Sequence, residues 1–183
     1  PQYYVMAQLA WNPQVDADTV LADYYRRAFG PAAQPVREYY EGLEKARMAF
    51  TAKNAEADVF TFPQLYTAAH LRGCQQRLDR AASAVAADSP HAKRVAFVQA
   101  GLTYTALTVE NIRLMDGYWK KKDPAVADQV RKNWAAAEVA VAAHPYSINL
   151  GPVKPGAPRM QGLHPDHPPA KKKKVRVNDL DLN

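Results

Sequence analysis

Residues 88–112, DSPHAKRVAFVQAGLTYTALTVENI, decide the reading of the fold. Ser89 offers a side-chain oxygen to the free amides of a helix start. Pro90 suits the first helical position, where its missing N–H costs nothing. Val95, Val98, Leu102, Thr105, Val109 and Ile112 then recur at steps of three and four residues, the spacing of one helix face. A helix predicted from Pro90 to Lys121 measures about 45 Å at roughly 1.5 Å per residue, long enough to be the spine of a bundle.

The same signals recur on both sides of that spine. Downstream, Asp123-Pro124 caps a last helix striped by Val126, Val130, Trp134, Ala137 and Val141, which ends near His144-Pro145. Upstream, Asp16 or Asp18 caps a helix over residues 19–28 carrying Val20, Leu21, Tyr24, Tyr25 and Ala28, stopped by Phe29-Gly30-Pro31. Val36, Tyr39, Tyr40, Leu43, Arg47 and Phe50 stripe the next helix, predicted to end around Asn54. Thr61-Phe62-Pro63 starts a fourth, with Leu65, Ala69, Leu78, Ala81, Ala82 and Val85, running through Gly73 to about Ala87. No segment of residues 1–145 alternates apolar and polar residues as a half-buried strand does. The expectation is an all-α fold, a bundle of about five to six helices over residues 1–145, followed by an irregular, Pro-rich, basic tail over 146–183.

Composition agrees with one globular unit: 183 residues, 48% hydrophobic and 23% charged. No run approaches the roughly 18–20 apolar residues that span a bilayer, so no membrane partner is expected. The single cysteine, Cys74, excludes an internal disulfide. Of the net charge of +6, residues 151–183 carry +4, which leaves the body nearly neutral and makes a nucleic-acid partner an unfavoured reading. The tail, with six prolines and three glycines in 33 residues, reads as a wrapped extension or a disordered end. Its last run, VRVNDLDL, has the pattern to add an edge strand to a neighbouring domain. Lys171, Lys172, Lys173, Lys174 and Arg176 form a weak polyanion-binding candidate, against the commoner reading of a solvated tail.

The residues that carry chemistry in other proteins are better explained by structure here. Glu38, Glu41 and Glu44 lie at i, i+3, i+6 on a solvent face, with nothing nearby to push two carboxyl pKa values apart as a glycosidase pair needs. Asp16-Ala-Asp18 begins like a calcium loop but lacks the glycine at the sixth position and the glutamate at the twelfth, and Asp23 belongs to the same charged surface. His70 and Cys74, one turn apart, are only two ligands of the four a zinc site requires, and a nucleophilic Cys74 lacks a base and an orienter. They read as a core thiol beside a surface histidine; His164 and His167, in the Pro-rich tail, read as exposed. Neither a metal site nor a cofactor is expected. Among the tryptophans, whose faces stack on core side chains and on sugar rings alike, Trp134 lies on an apolar stripe and is a core residue. Trp11, just before Asn12-Pro13, is read as packing at a domain boundary or approaching a ligand there.

The chain opens without an initiator methionine and is already apolar at Tyr3-Tyr4-Val5. It reads as the continuation of a larger protein, whose chemistry is expected upstream. Tyr3, Tyr4 and Trp11 are therefore the candidate domain-interface or ligand residues.

Two blocks, YVMAQLAWNPQVDADTVLADYYRRAFGPAAQPVREYYEGLE (4–44) and HAKRVAFVQAGLTYTAL (91–107), resemble the C-terminal part of the bacterial DUF4838 proteins. The resemblance covers most of residues 3–110, with Asn12 where those proteins usually show aspartate, a change that touches a turn. That family resembles glycoside hydrolases of the hexosaminidase and α-glucuronidase type, in which a (β/α)8 barrel carries the active site and a helical region follows. The resemblance implies that this chain is that helical region, that its partner is an upstream barrel of the same protein, that a glycan is met only through the parent, and that the parent is secreted or periplasmic. No catalytic residue of the family maps onto the chain. The alternatives are an autonomous helical interaction module that binds a protein or a polyanion, and a small helical enzyme that uses His70 and Cys74.

Overall fold

The structure is a computed structural model and describes residues 2–52, 59–142, 144 and 160–169. Among these the fold is all-α. The helices are α1 (Gln2–Trp11), α2 (Ala17–Phe29), α3 (Ala33–Thr51), α4 (Phe62–Leu65), α5 (Ala68–Ser83), α6 (Pro90–Met115), α7 (Tyr118–Lys121) and α8 (Pro124–Ala142), with 3-10 turns at Gly30–Ala32 and Val59–Thr61. Six of the helices have ten residues or more, in line with the expected bundle; α4 and α7 are single turns. None is long and apolar enough to cross a membrane. The one β-type contact among the described residues is an isolated antiparallel bridge between His164 and His167.

The helix starts are set by the residues the sequence offers. Thr19 N–H donates to Asp16 Oδ2 at 2.7 Å, Ala92 N–H to Ser89 Oγ at 3.0 Å and Ala125 N–H to Asp123 Oδ1 at 2.9 Å. Caps of this kind contribute about 1 kcal/mol each. The predicted fourth helix is two helices: Tyr66 leaves the helical region (φ −98°, ψ 69°), and Thr67 caps α5 by accepting from His70 N–H at 3.2 Å. The predicted spine is also shorter. Asp116 turns extended and Gly117 takes a left-handed φ of 74°, so α6 stops at Met115 and spans roughly 39 Å rather than 45 Å.

Two cores share α6. Val95, Val98 and Leu102 of its first half pack with Tyr25, Phe29, Val36, Tyr39, Cys74 and Leu78 of α2, α3 and α5. Ile112 and Met115 of its second half pack with Val130, Trp134 and Ala137 of α8 and with Met160 and Leu163. The spacing of the α6 stripe predicts a single buried face, but a helix pressed from two sides buries more than that: Thr108 and Asn111 are buried as well, while Thr105 is only half-buried and returns its hydroxyl to Gly101 O at 2.9 Å. Arg47, placed on the α3 stripe by its spacing, points to solvent.

Residues 160–169, read as part of a tail, fold against this second core. Met160 and Leu163 are each 2% exposed. Trp119 Nε1–H donates to Gly162 O at 2.9 Å and Trp134 Nε1–H to Leu163 O at 3.2 Å, so two indoles hold consecutive carbonyls. Arg131 reaches both carboxylate oxygens of Asp166, at 2.7 and 3.2 Å. For this stretch, a wrapped extension is the description that fits. His164, expected to be exposed, has a side chain only 13% exposed because the turn closes on itself through Gly162 N–H to His167 O at 2.9 Å.

The first core is closed by the turn after α2. Gly30 has φ 52° and ψ −121°, and a Cβ there would lie 2.7 Å from His91 Nε2. His91 is fixed because its Nδ1–H donates to Ala28 O at 3.1 Å, the same carbonyl that accepts from Arg94 at 2.9 Å. Gly30→Ala adds backbone strain to a steric clash and is expected to cost at least about 2 kcal/mol. Urea denaturation measures it, and a loss below about 0.5 kcal/mol would show that the turn relaxes freely.

Candidate functional site

The most distinctive surface is the outer side of α1. Its run Tyr3-Tyr4-Val5-Met6-Ala7-Gln8-Leu9-Ala10-Trp11 favours helix through Ala, Met, Gln and Leu. Asn12 ends it: its N–H bonds back to Gln8 O at 2.9 Å, and its side-chain oxygen accepts from Gln14 N–H at 3.2 Å, an Asx turn around Pro13. The inner side of α1 lies on α2, where Tyr4 sets its ring 5.5 Å from that of Tyr24 and donates its hydroxyl to Asp23 Oδ2 at 3.0 Å. Val5 and Leu9 are partly covered on the same side. Tyr3, Met6, Ala7, Ala10 and Trp11 follow i, i+3, i+4, i+7, i+8 spacing and make a second apolar face. That face is open: Tyr3 is 85% exposed, Met6 56% and Trp11 91%, and α1 buries no residue.

The three interface candidates are thus divided by the structure. Tyr3 and Trp11 share the open face, and Tyr4 belongs to the internal α1–α2 contact. Asp23, read as part of a charged surface, is the hub that fixes α1: it also accepts from Arg27 Nε at 2.6 Å and pairs with Arg26. Partial burial raises its carboxyl pKa, but the Tyr4 and Arg26 hydrogen bonds and the Arg27 charge outweigh it and hold the pKa low. Lys171, Lys172, Lys173, Lys174 and Arg176 lie outside the described residues.

The acidic residues of the sequence reading behave as solvent-face charges. Glu38 pairs with Arg80 at 2.6 Å and accepts from Gln34, and Glu41 pairs with Arg37 at 2.7 Å. Cys74 is fully buried, with Sγ 3.5 Å from Nε2 of the half-buried His70. Burial pushes the thiol pKa up, with Arg77 opposing; burial pulls the His70 pKa down, and Arg77 adds to it. Both shifts favour the neutral forms, whereas a nucleophilic pair needs a thiolate beside an imidazolium. Among the described residues no three His, Cys, Asp or Glu side chains converge as a metal site would require.

A second concave feature lies at the far end of the bundle. A cavity of about 440 Å³ opens between α4, the end of α6, Trp119 and the 160–169 turn, with Phe60 and Pro169 at its edges. Sequence reasoning missed it because its walls come from four stretches that only the fold brings together. The tryptophan at 119 was the one available signal.

The Cys74–His70 geometry predicts a thiol that disulfide reagents modify slowly in the folded chain and rapidly in urea, with no reactive plateau near neutral pH; fast labelling of the native chain would contradict the neutral pair. The His70 shift also sets a pH window. The unfolded imidazole takes a proton at about 6.5, and the folded one resists it. Stability is therefore full above about pH 6.5 and falls as the pH drops below it. His164 is lowered in the same direction by burial. The urea midpoint is expected to fall between pH 7.5 and 5.5, less steeply in His70→Gln, and equal slopes would remove His70 as a cause. No family model matches the chain, and neither curated proteins nor solved structures provide a match.

Proposed function

We propose that this chain is a non-catalytic helical module that packs on a neighbouring domain of the same protein through the outer face of α1, and that this domain is the carbohydrate-active (β/α)8 barrel implied by the family resemblance. The observation that carries the reading is the open face of α1. Two aromatic side chains and a methionine face solvent on a helix whose other side is already docked and oriented by Asp23. Apolar side chains at i, i+3, i+4, i+7 and i+8 are the pattern by which a helix seats on an apolar surface. Contiguous exposed apolar patches of this kind mark interaction sites. The buried Cys74 beside half-buried His70, both shifted toward their neutral forms, and the ion-paired Glu38 and Glu41 support a role without chemistry of the chain's own. Hydrolysis of a glycosidic bond by that partner is proposed from the family resemblance.

Hydrogen exchange on the chain alone and on a longer protein that includes the preceding domain tests the reading. The α1 amides are expected to exchange at least tenfold more slowly in the longer protein. Tyr3→Ala with Trp11→Ala removes that protection while leaving the stability of the chain alone within about 0.5 kcal/mol, since both side chains are exposed. Equal α1 exchange in the two proteins would overturn the docking. In that case the alternative, an autonomous module whose α1 face or basic tail binds a separate protein or a polyanion, takes its place.

A further inference from the structure

We infer that the cavity between α4, α6, Trp119 and the 160–169 turn is a binding site for a neutral saccharide. The inference concerns a second site and rests on its own geometry, not on the docking of α1.

The cavity's volume of about 440 Å³ falls within the range of small-molecule sites, about 300–1,000 Å³. Its aromatic wall is Trp119, whose Nε1–H is committed to Gly162 O at 2.9 Å. The indole is thereby fixed in orientation and offers a ligand its ring rather than its donor. A fixed aromatic face suits the C–H side of a pyranose. Phe60, 54% exposed, stands at the rim.

The polar groups decide the class. Gln64, Gln161 and Asp116 line the cavity, and among the described residues no hydrogen bond or ion pair engages their side chains. Two primary amides and a carboxylate supply both donors and acceptors, the set that pairs with neighbouring hydroxyls. Among the described lining residues the one cation, Arg113, is already bound to Tyr66 O at 3.1 Å and lies 3.6 Å from Glu110. Among the described lining residues no uncommitted positive group is present to hold a phosphate or a carboxylate, which disfavours an anionic ligand. An apolar ring beside hydrogen-bonding groups that bear no net positive charge fits a ligand with one apolar face and a hydroxylated edge.

The test is a ¹H–¹⁵N titration of the chain with cellohexaose, xylohexaose and chitohexaose to millimolar concentration, read at the indole signals and the side-chain amides. Saturable shifts of the Trp119 indole and of the Gln64 and Gln161 amides are expected with at least one of the three. Gln64→Ala and Asp116→Ala, both at exposed positions, should each weaken binding by about fivefold, the effect of one lost hydrogen bond. Trp119→Ala should abolish it; because this change also releases Gly162, the two surface variants keep the test independent of folding. No shift at Trp119 with any of the sugars would overturn the inference, as would shifts unaffected by both surface variants. A response to a lysine-rich or proline-rich peptide in place of the sugars would overturn the saccharide class. Shifts confined to Trp11 would also overturn it, while leaving the α1 docking untouched.

Discussion

Everything in this fold leans on α6, because one helix has to satisfy two cores. Its first half closes the α2–α3–α5 group and its second half the α8 group, and among the described residues no other helix belongs to both. Among the described helices the α6–α8 contact is the most extensive. At its centre Asn133 Nδ2 donates to Asn111 Oδ1 at 2.9 Å, and Gln129 donates to Asn133 in turn. The Asn111 amide nitrogen has no partner of its own among the described residues. A buried donor left so costs roughly 1–3 kcal/mol. An amide pair of this kind can bond in only one alignment of the two helices, so it fixes register at some expense of stability.

That arrangement explains why the two ends of the molecule differ. At the first end, α6 begins under the α2 turn, where His91 and Arg94 both satisfy Ala28 O and only glycine fits at position 30. The aromatic residues there are dense: Tyr4, Tyr24, Tyr25, Tyr40 and Tyr39 follow one another at ring separations between 5.1 and 6.2 Å. Burial pushes the Tyr25 hydroxyl pKa up to about 12, and nearby tyrosines add to it. A packed wall of this kind gives α1 a rigid seat and leaves its outer face for a partner. At the second end, α6 breaks at Gly117, and the opening is bordered by Trp119 and the 160–169 turn.

The parts legible in the sequence are those fixed by near neighbours. Ser89-Pro90, Asp16 and Asp123-Pro124 mark helix starts because a cap acts within three residues. The α8 stripe from Val130 through Trp134 and Ala137 to Val141 is buried as its spacing implies. The interruptions were harder. Thr67 was available as a cap and Gly117 as a stop, yet the apolar period runs across both, and the period alone cannot show where a chain must turn to let α5 lie on α3 or α8 on α6. Arg47 has the right spacing to be buried and is exposed, because a long charged side chain can carry its guanidinium out to solvent from a position on the stripe.

The all-α class, the starts of α2, α6 and α8 and the apolar character of the α1 segment follow from the sequence alone, because each depends on contacts within a turn or two of the chain. Tertiary structure alone decided which apolar residues are covered. Tyr4 and Trp11 look alike in sequence, but Tyr4 finds Asp23 and Tyr24 while Trp11 is 91% exposed. It also decided that Trp119 and Trp134 hold Gly162 and Leu163, joining positions 43 and 29 residues apart. Such pairings carry no local signal. They follow from how α6 and α8 cross, and that is set by the sum of both cores rather than by any one stretch of sequence.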